Sequence, residues 1–194
     1  MEDKIKQVIE KSIYLKKKLL NDTSFIIQVS ELICLSLSKG GKILVCGNGG
    51  SAADSQHFAA EFIGRFMKDR KALPAIALTT DTSILTAIGN DYGFDSIFMR
   101  QVDALCTAND ILIGISTSGN SKNVIEAFKC ARSKGAKIIA LLGNMGGKCK
   151  QYADYSYVVP ATESARIQEI HLLIEHLICE YVEEQLFLNI ENEE

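Results

Sequence analysis

The sequence predicts a doubly wound α/β fold, on three observations. Five short β-rich runs occupy residues 42–46, 75–79, 111–115, 137–142 and 155–159. Helix-compatible segments lie between most of them, so consecutive strands cannot pair as hairpins and a parallel sheet is expected. All 14 glycines fall between Gly40 and Gly147, five of them between Gly40 and Gly50, which predicts helical ends around a loop-rich middle.

Taken in order, residues 3–39 carry Ile5, Val8, Ile9 and Ile13, then Phe25, Ile26, Val29, Ile33 and Leu37, at helical spacing. Asn21-Asp22-Thr23 breaks them into two helices ahead of the first strand. Helices are predicted over 52–66, 82–88 with 96–105, and 122–133. Pro160 ends the fifth strand. A last helix over 164–188 buries Ile167, Ile170, Leu173, Ile174, Leu177, Ile178 and Val182, and the acidic tail 191–194 is expected to fray. At 194 residues the chain suits one domain, 1–194, with 1–39 as an N-terminal helical pair.

Composition narrows the function. Hydrophobic residues at 47% exclude a disordered chain, and no apolar run approaches the ~18 residues of a membrane helix. A net charge of −3 provides no field for nucleic acid or an anionic membrane, and Lys16-Lys17-Lys18 reads as a solvated helix face. Six widely spaced cysteines without a CxxC pair, behind an N-terminus with no signal-peptide pattern, indicate reduced thiols in a cytoplasmic protein.

In an open parallel sheet, ligands sit at the carboxyl ends of strands. After the first strand comes Gly47-Asn48-Gly49-Gly50-Ser51, which lets the backbone approach a ligand at a helix start. After the third comes Ser116-Thr117-Ser118-Gly119-Asn120-Ser121, whose hydroxyls and helix N-terminus can bind phosphate without lysine or arginine. The implied ligand is a small phosphate ester; neither a Walker A motif nor GxGxxG is present. His57 and Glu61, four apart, share a helix face and can bind metal or divide acid and base roles. On the last helix, spacing alone leaves two options open: His171 with Glu175, or Gln168 with His176, about 80° apart around the axis.

These blocks, together with Gly64-Arg65, Gly89-Asn90-Asp91-Tyr92-Gly93-Phe94 and Arg166-Ile167-Gln168-Glu169-Ile170-His171, resemble the SIS-fold phosphosugar isomerases. Within them the chain is similar to the sedoheptulose 7-phosphate, or phosphoheptose, isomerases over nearly its whole length. That resemblance implies a flavodoxin-like three-layer αβα sandwich, a five-stranded parallel sheet, and a homotetramer with active sites between subunits. It implies that Ser116, Thr117, Ser118 and Ser121 hold the phosphate, while Asn48, Gly49, Gly50, Ser51, Glu61, Arg65, Asn90, Asp91 and Gln168 surround the substrate. It further implies one zinc ion per subunit on His57, Glu61, Gln168 and His176, and catalysis by Glu61 and His176 through an enediolate. Where some members carry an aspartate before Arg166, this chain has Ala165.

The expected reaction converts D-sedoheptulose 7-phosphate to D-glycero-D-manno-heptose 7-phosphate, the first step towards nucleotide-activated heptose for lipopolysaccharide or capsule. The alternative is a non-catalytic SIS-fold adaptor of the DnaA initiator-associating type, which lacks the carboxylate and imidazole matching Glu61 and His176. The last helix is expected to deliver Gln168 and His176 to a neighbouring subunit, and the N-terminal helices to build the tetramer core.

Overall fold

A computed structural model describes residues 1–187. Strands β1 (Ile43–Gly47), β2 (Ala75–Ala77), β3 (Ile111–Ser116), β4 (Lys137–Leu142) and β5 (Tyr155–Val158) form one sheet in the order β2-β1-β3-β4-β5. Every neighbouring pair is parallel. From β1 the chain first adds a strand on one side and then, at β3, on the other. The crevice above the carboxyl ends of β1 and β3 is therefore the topological switch point, where ligands bind in such sheets.

Both faces of the sheet are covered, so strand residues alternate between two cores rather than between core and water. Ile43, Val45, Ile111, Ile113, Ile139 and Leu141 enter one core. Leu44, Cys46, Leu112, Ile138, Ala140 and Leu142 enter the other. Helices α1 (Glu2–Leu19), α2 (Thr23–Ser38), α3 (Gly50–Ile63) and α7 (Ser164–Phe187) pack on the first face. The second face carries α5 (Met99–Leu105) and α6 (Lys122–Ser133), while α4 (Thr82–Asp91) has no buried residue. The three-layer α/β expectation holds.

Boundaries shift for local reasons. Helix α3 begins at Gly50 because Gly49 turns the chain at φ 56°, and it ends at Ile63 ahead of the Gly64 cap instead of running to 66. Strand β2 has three residues, not five: it is an edge strand, and after Leu78 N–H reaches Val45 O the chain turns away. Helix α4 extends to Asp91, and a 3₁₀ turn over Phe94–Ser96 precedes α5, replacing the single predicted helix 96–105. Leu188 and the acidic tail lie outside the described residues. All six cysteines are free thiols, and among the described residues no helix is long and apolar enough to cross a membrane.

Lys16, Lys17 and Lys18 are exposed on the last turn of α1, where cations suit the helix dipole. Leu15 and Leu19 of α1 are buried, yet Ile5, Val8, Ile9 and Ile13 stay exposed. Of the apolar residues expected inside α7, Ile167, Ile170, Ile174, Ile178 and Val182 are buried, while Leu173 and Leu177 are half-buried.

Gly114 in β3 leaves the space that Phe128 of α6 fills, since a Cβ there would lie 2.3 Å from the ring. Gly114→Ala is expected to cost about 1–3 kcal/mol by overpacking. Phe128→Leu should recover part of the loss; thermal melts of the two single variants and the double variant check this, and an unshifted midpoint for Gly114→Ala would contradict it.

Candidate active site

The two loops singled out in the sequence meet at the switch point. They are tied by a reciprocal amide pair: Asn48 Nδ2 donates to Asn123 Oδ1 at 2.9 Å, and Asn123 Nδ2 to Asn48 Oδ1 at 2.8 Å. Asn48 thus braces the loops, and Asn123 of α6 is a partner the sequence did not reveal. In the hydroxyl loop, Ser116 Oγ lies 2.9 Å from Ser121 Oγ and 3.5 Å from Ser118 Oγ. Ser121 sits at the N-cap of α6 yet makes no capping bond, so its hydroxyl remains with the cluster instead of serving the helix. Thr117 Oγ1 turns towards Ser164 at 3.4 Å.

The loop after β4 buttresses this cradle, a role unmarked in the sequence. Gly119 and Gly147 approach so closely that a Cβ on Gly119 would lie 2.2 Å from Gly146 O. Cys149 N–H donates to Gly119 O at 2.8 Å, Lys148 N–H to Asn120 Oδ1 at 3.0 Å, and Asn144 Nδ2 to Thr117 O at 3.1 Å.

Helix α7 runs alongside α3 in the same direction. Gln168 meets Gly50 and Asp54, His176 meets His57, and Glu183 meets the loop beyond α3. His57 Nε2 lies 2.8 Å from His176 Nε2 and 3.4 Å from Glu61 Oε1, and donor atoms of all three residues fall within 4.8 Å of one another. These contacts lie within one chain, which corrects the expectation that α7 reaches into a neighbouring subunit. Two imidazole nitrogens and a carboxylate suit a borderline divalent ion such as zinc. The fourth expected ligand, Gln168, has its Nε2 on Asp54 Oδ1 at 2.9 Å.

Ser51 is buried at the first turn of α3, with exposed Gly49 and Gly50 before it, and Arg65 stands exposed just past the helix. Asn90 and Asp91 are exposed on α4, bonded to each other at 2.8 Å, and the structure does not bring them to the cradle within this chain.

The α3–α7 seam buries two acids: Asp54, unmarked in the sequence, and Glu175, which does not pair with His171 there. Burial pushes the Glu175 carboxyl up to about 9, with the charge of Asp54 adding to it, and neither oxygen has a partner among the described residues. Burial also raises Asp54, opposed by the Gln168 amide and by His57. His171 is buried, bonded to Leu142 O at 3.1 Å and pushed down to about 4 by burial, a neutral structural imidazole. Further along, Glu183 accepts from the N–H groups of Phe66, Met67 and Lys68 and from Arg70 Nε at 2.9 Å. Arg70 in turn donates to the carbonyls of Glu61, Phe62 and Gly64, closing the end of α3, and the Phe66 ring packs on His176 with centroids 5.7 Å apart.

The parallel sheet with the glycine and hydroxyl loops at its switch point is the frame of a SIS-domain protein, and the SIS-domain sequence pattern matches residues 9–143. A phosphoheptose isomerase of Aquifex aeolicus is 52% identical over 187 residues, covering 96% of this chain and 98% of that protein. The structure of phosphoheptose isomerase GmhA from Neisseria gonorrhoeae superposes with a TM-score of 0.89 at 48% identity, covering 94% of this chain and 98% of that one. A phosphoheptose isomerase from Francisella tularensis gives 0.91 at 41% identity, covering 94% and 97%. The chain belongs to the phosphoheptose isomerases, a family of aldose–ketose isomerases within the SIS-domain proteins.

The Glu183 clip sets an acid limit on the fold. Burial alone would raise its carboxyl, but four N–H donors outweigh that and hold it below the usual 4.5. A depressed folded value contributes stability above the unfolded value and loses it as pH falls through the folded one. Glu183→Gln is therefore expected to cost about 3 kcal/mol at pH 7, as for a broken buried pair, with the deficit shrinking below about pH 4. Urea denaturation at both pH values checks this; a deficit independent of pH would contradict it.

Proposed function

We propose that this chain interconverts D-sedoheptulose 7-phosphate and D-glycero-D-manno-heptose 7-phosphate, the entry reaction of nucleotide-activated heptose synthesis in the cytoplasm. The observation that carries the reading is the convergence of His176 of α7 with His57 and Glu61 of α3, the helix that starts at the glycine loop. His57 stands seven positions after Gly50 on α3, about 10 Å along the axis. The phosphate end of an extended sugar phosphate in the cradle thus leaves its other end near the acid–base group.

Ser116, Thr117, Ser118 and Ser121, with the N-terminus of α6, hold the phosphate as hydroxyl and N–H donors. Asn48, Gly49, Gly50, Ser51, Arg65, Asn90, Asp91 and Gln168 line the sugar path. Isomerisation needs a proton to leave C1 of the ketose and return to C2 through an enediolate. Glu61, as carboxylate, takes the carbon-bound proton and delivers it to C2. His176 moves the hydroxyl proton between the two oxygens and assists ring opening. His57, Glu61, Gln168 and His176 would hold one zinc ion per subunit. When bound, zinc polarises the carbonyl and stabilises negative charge on its oxygen. Glu61 must then bind the ion loosely enough to act as base. Retention of both Glu61 and His176 disfavours a non-catalytic adaptor.

The functional unit is a homotetramer with active sites at subunit interfaces. Its support is apolar surface without cover: Ile5, Ile9 and Ile13 form a stripe on α1, each about half exposed, and α4 buries no residue while carrying Ile84 and, just beyond it, Tyr92 and Phe94 on the surface. A neighbouring copy seated over α4 also gives Asn90 and Asp91 a route to a cradle.

Glu61→Gln and His176→Ala are each expected to lower kcat about 10²–10⁴-fold with the melting temperature retained. Incubation with sedoheptulose 7-phosphate, with and without a chelator, followed by NMR for the aldose, measures this. An active Glu61→Gln protein would sink the role given to Glu61, and absence of aldose under both conditions would move the reading to an adaptor. Ile9→Glu combined with Ile13→Glu should reduce a tetrameric mass to a smaller species in light scattering; a monomeric wild type would refute the assembly.

A further inference from the structure

The stripe of α3 that faces α7 is spaced i, i+4, i+7 and i+11: Gly50, Asp54, His57 and Glu61. Three of these belong to the substrate or metal machinery described above; Asp54 is unassigned. It is 5% exposed, its Oδ1 accepts from Gln168 Nε2 at 2.9 Å, and its Oδ2 has no hydrogen-bond partner among the described residues. An aspartate buried opposite another buried acid, Glu175, is costly to the fold. Such a group persists where its orientation of a neighbour is needed.

Gln168 is that neighbour. The two ends of an amide differ chemically: the oxygen can ligate a metal or accept from a sugar hydroxyl, and the NH₂ group can only donate. A carboxylate accepts only, so Asp54 holds the NH₂ end of the amide on itself and leaves Oε1 as the end free of that bond. Gly50 completes the slot. A Cβ there would lie 2.5 Å from Gln168 Oε1 and 2.7 Å from Nε2, so the amide rests flat on the bare backbone of the glycine.

We propose that Asp54 is a positioning residue that, with the Gly50 slot, holds the Gln168 amide one way round so that its oxygen serves the site. The proposal rests on the assignment of Gln168 to that site and extends it to a residue that touches neither metal nor substrate. Two carboxylates in this slot repel, whereas an asparagine and a glutamate pair by reversing the hydrogen bond.

The test is a crossed exchange, with folding verified by thermal melts and binding read by cobalt(II) titration of the purified chain. Gln168→Glu alone is expected to weaken cobalt binding about 10- to 100-fold, the range for a disturbed outer-shell partner, although a carboxylate is intrinsically the better ligand. Adding Asp54→Asn should restore binding close to wild type, because the new amide donates to Glu at 168. Asp54→Asn alone, neutral and isosteric, should weaken binding while keeping the melting temperature. Gln168→Glu binding cobalt as tightly as wild type or tighter, indifferent to position 54, overturns the proposal. If Gln168→Ala leaves cobalt affinity unchanged, the metal role of Gln168 fails, and kcat against KM for the same variants decides the positioning role. Loss of kcat in Gln168→Glu that Asp54→Asn restores supports it, and independent effects of the two substitutions overturn it.

Discussion

Three contacts at successive levels hold α7 alongside α3: Gln168 at Gly50 and Asp54, His176 at His57, and Glu183 at the loop that follows α3. The candidate site depends on this alignment, because His57 and Glu61 come from α3 while Gln168 and His176 come from α7. Beneath the polar contacts, Phe58 and Phe62 of α3 and Ile174, Ile178 and Val182 of α7 share one apolar core, which holds the helices together without specifying their register. Directional hydrogen bonds and the missing side chain at Gly50 supply the register, and a slip of one residue would turn His176 about 100° away from His57.

Such a seam is expensive. Asp54 of α3 and Glu175 of α7 are buried with oxygens that have no partner among the described residues, and His171 of α7 is kept neutral, where apolar faces would stabilise the pair of helices better. The opposite arrangement occurs at Glu183, where every neighbour donates and the carboxylate is held ionised. The strongly satisfied end lies next to the loop carrying Arg65 and Phe66, and the poorly satisfied stretch lies beside the His57–Glu61–His176 cluster.

Much of this was legible in the residues. Short β-rich runs located all five strands and period-3.6 apolar patterns the helices, because a strand buried on both faces reads as a continuous run and a helix buried on one side as a stripe. The hydroxyl run 116–121 and the glycine loop 47–51 stood out because binding phosphate without cations demands many small donors close together. Less visible were Asn123, the brace from the β4 loop, Asp54 and the Arg70–Glu183 clip. Each is an ordinary polar residue in its own segment, and its meaning comes from a partner 27 to 117 residues away.

The sequence by itself determined the α/β class, the parallel sheet, the glycine and hydroxyl loops and the membership of a sugar-phosphate isomerase family, since each is encoded in local pattern or in contiguous motifs. Local spacing could not choose between His171 with Glu175 and Gln168 with His176 on the last helix. Tertiary structure decided it: the azimuth of α7 against α3 puts His171 on the carbonyl of Leu142 and His176 on His57. It also decided that this contact is made within one chain. The physical reason is that a helix exposes all its side chains to one sequence rule but only one azimuth to a given neighbour, and that azimuth is set by packing between elements more than a hundred residues apart.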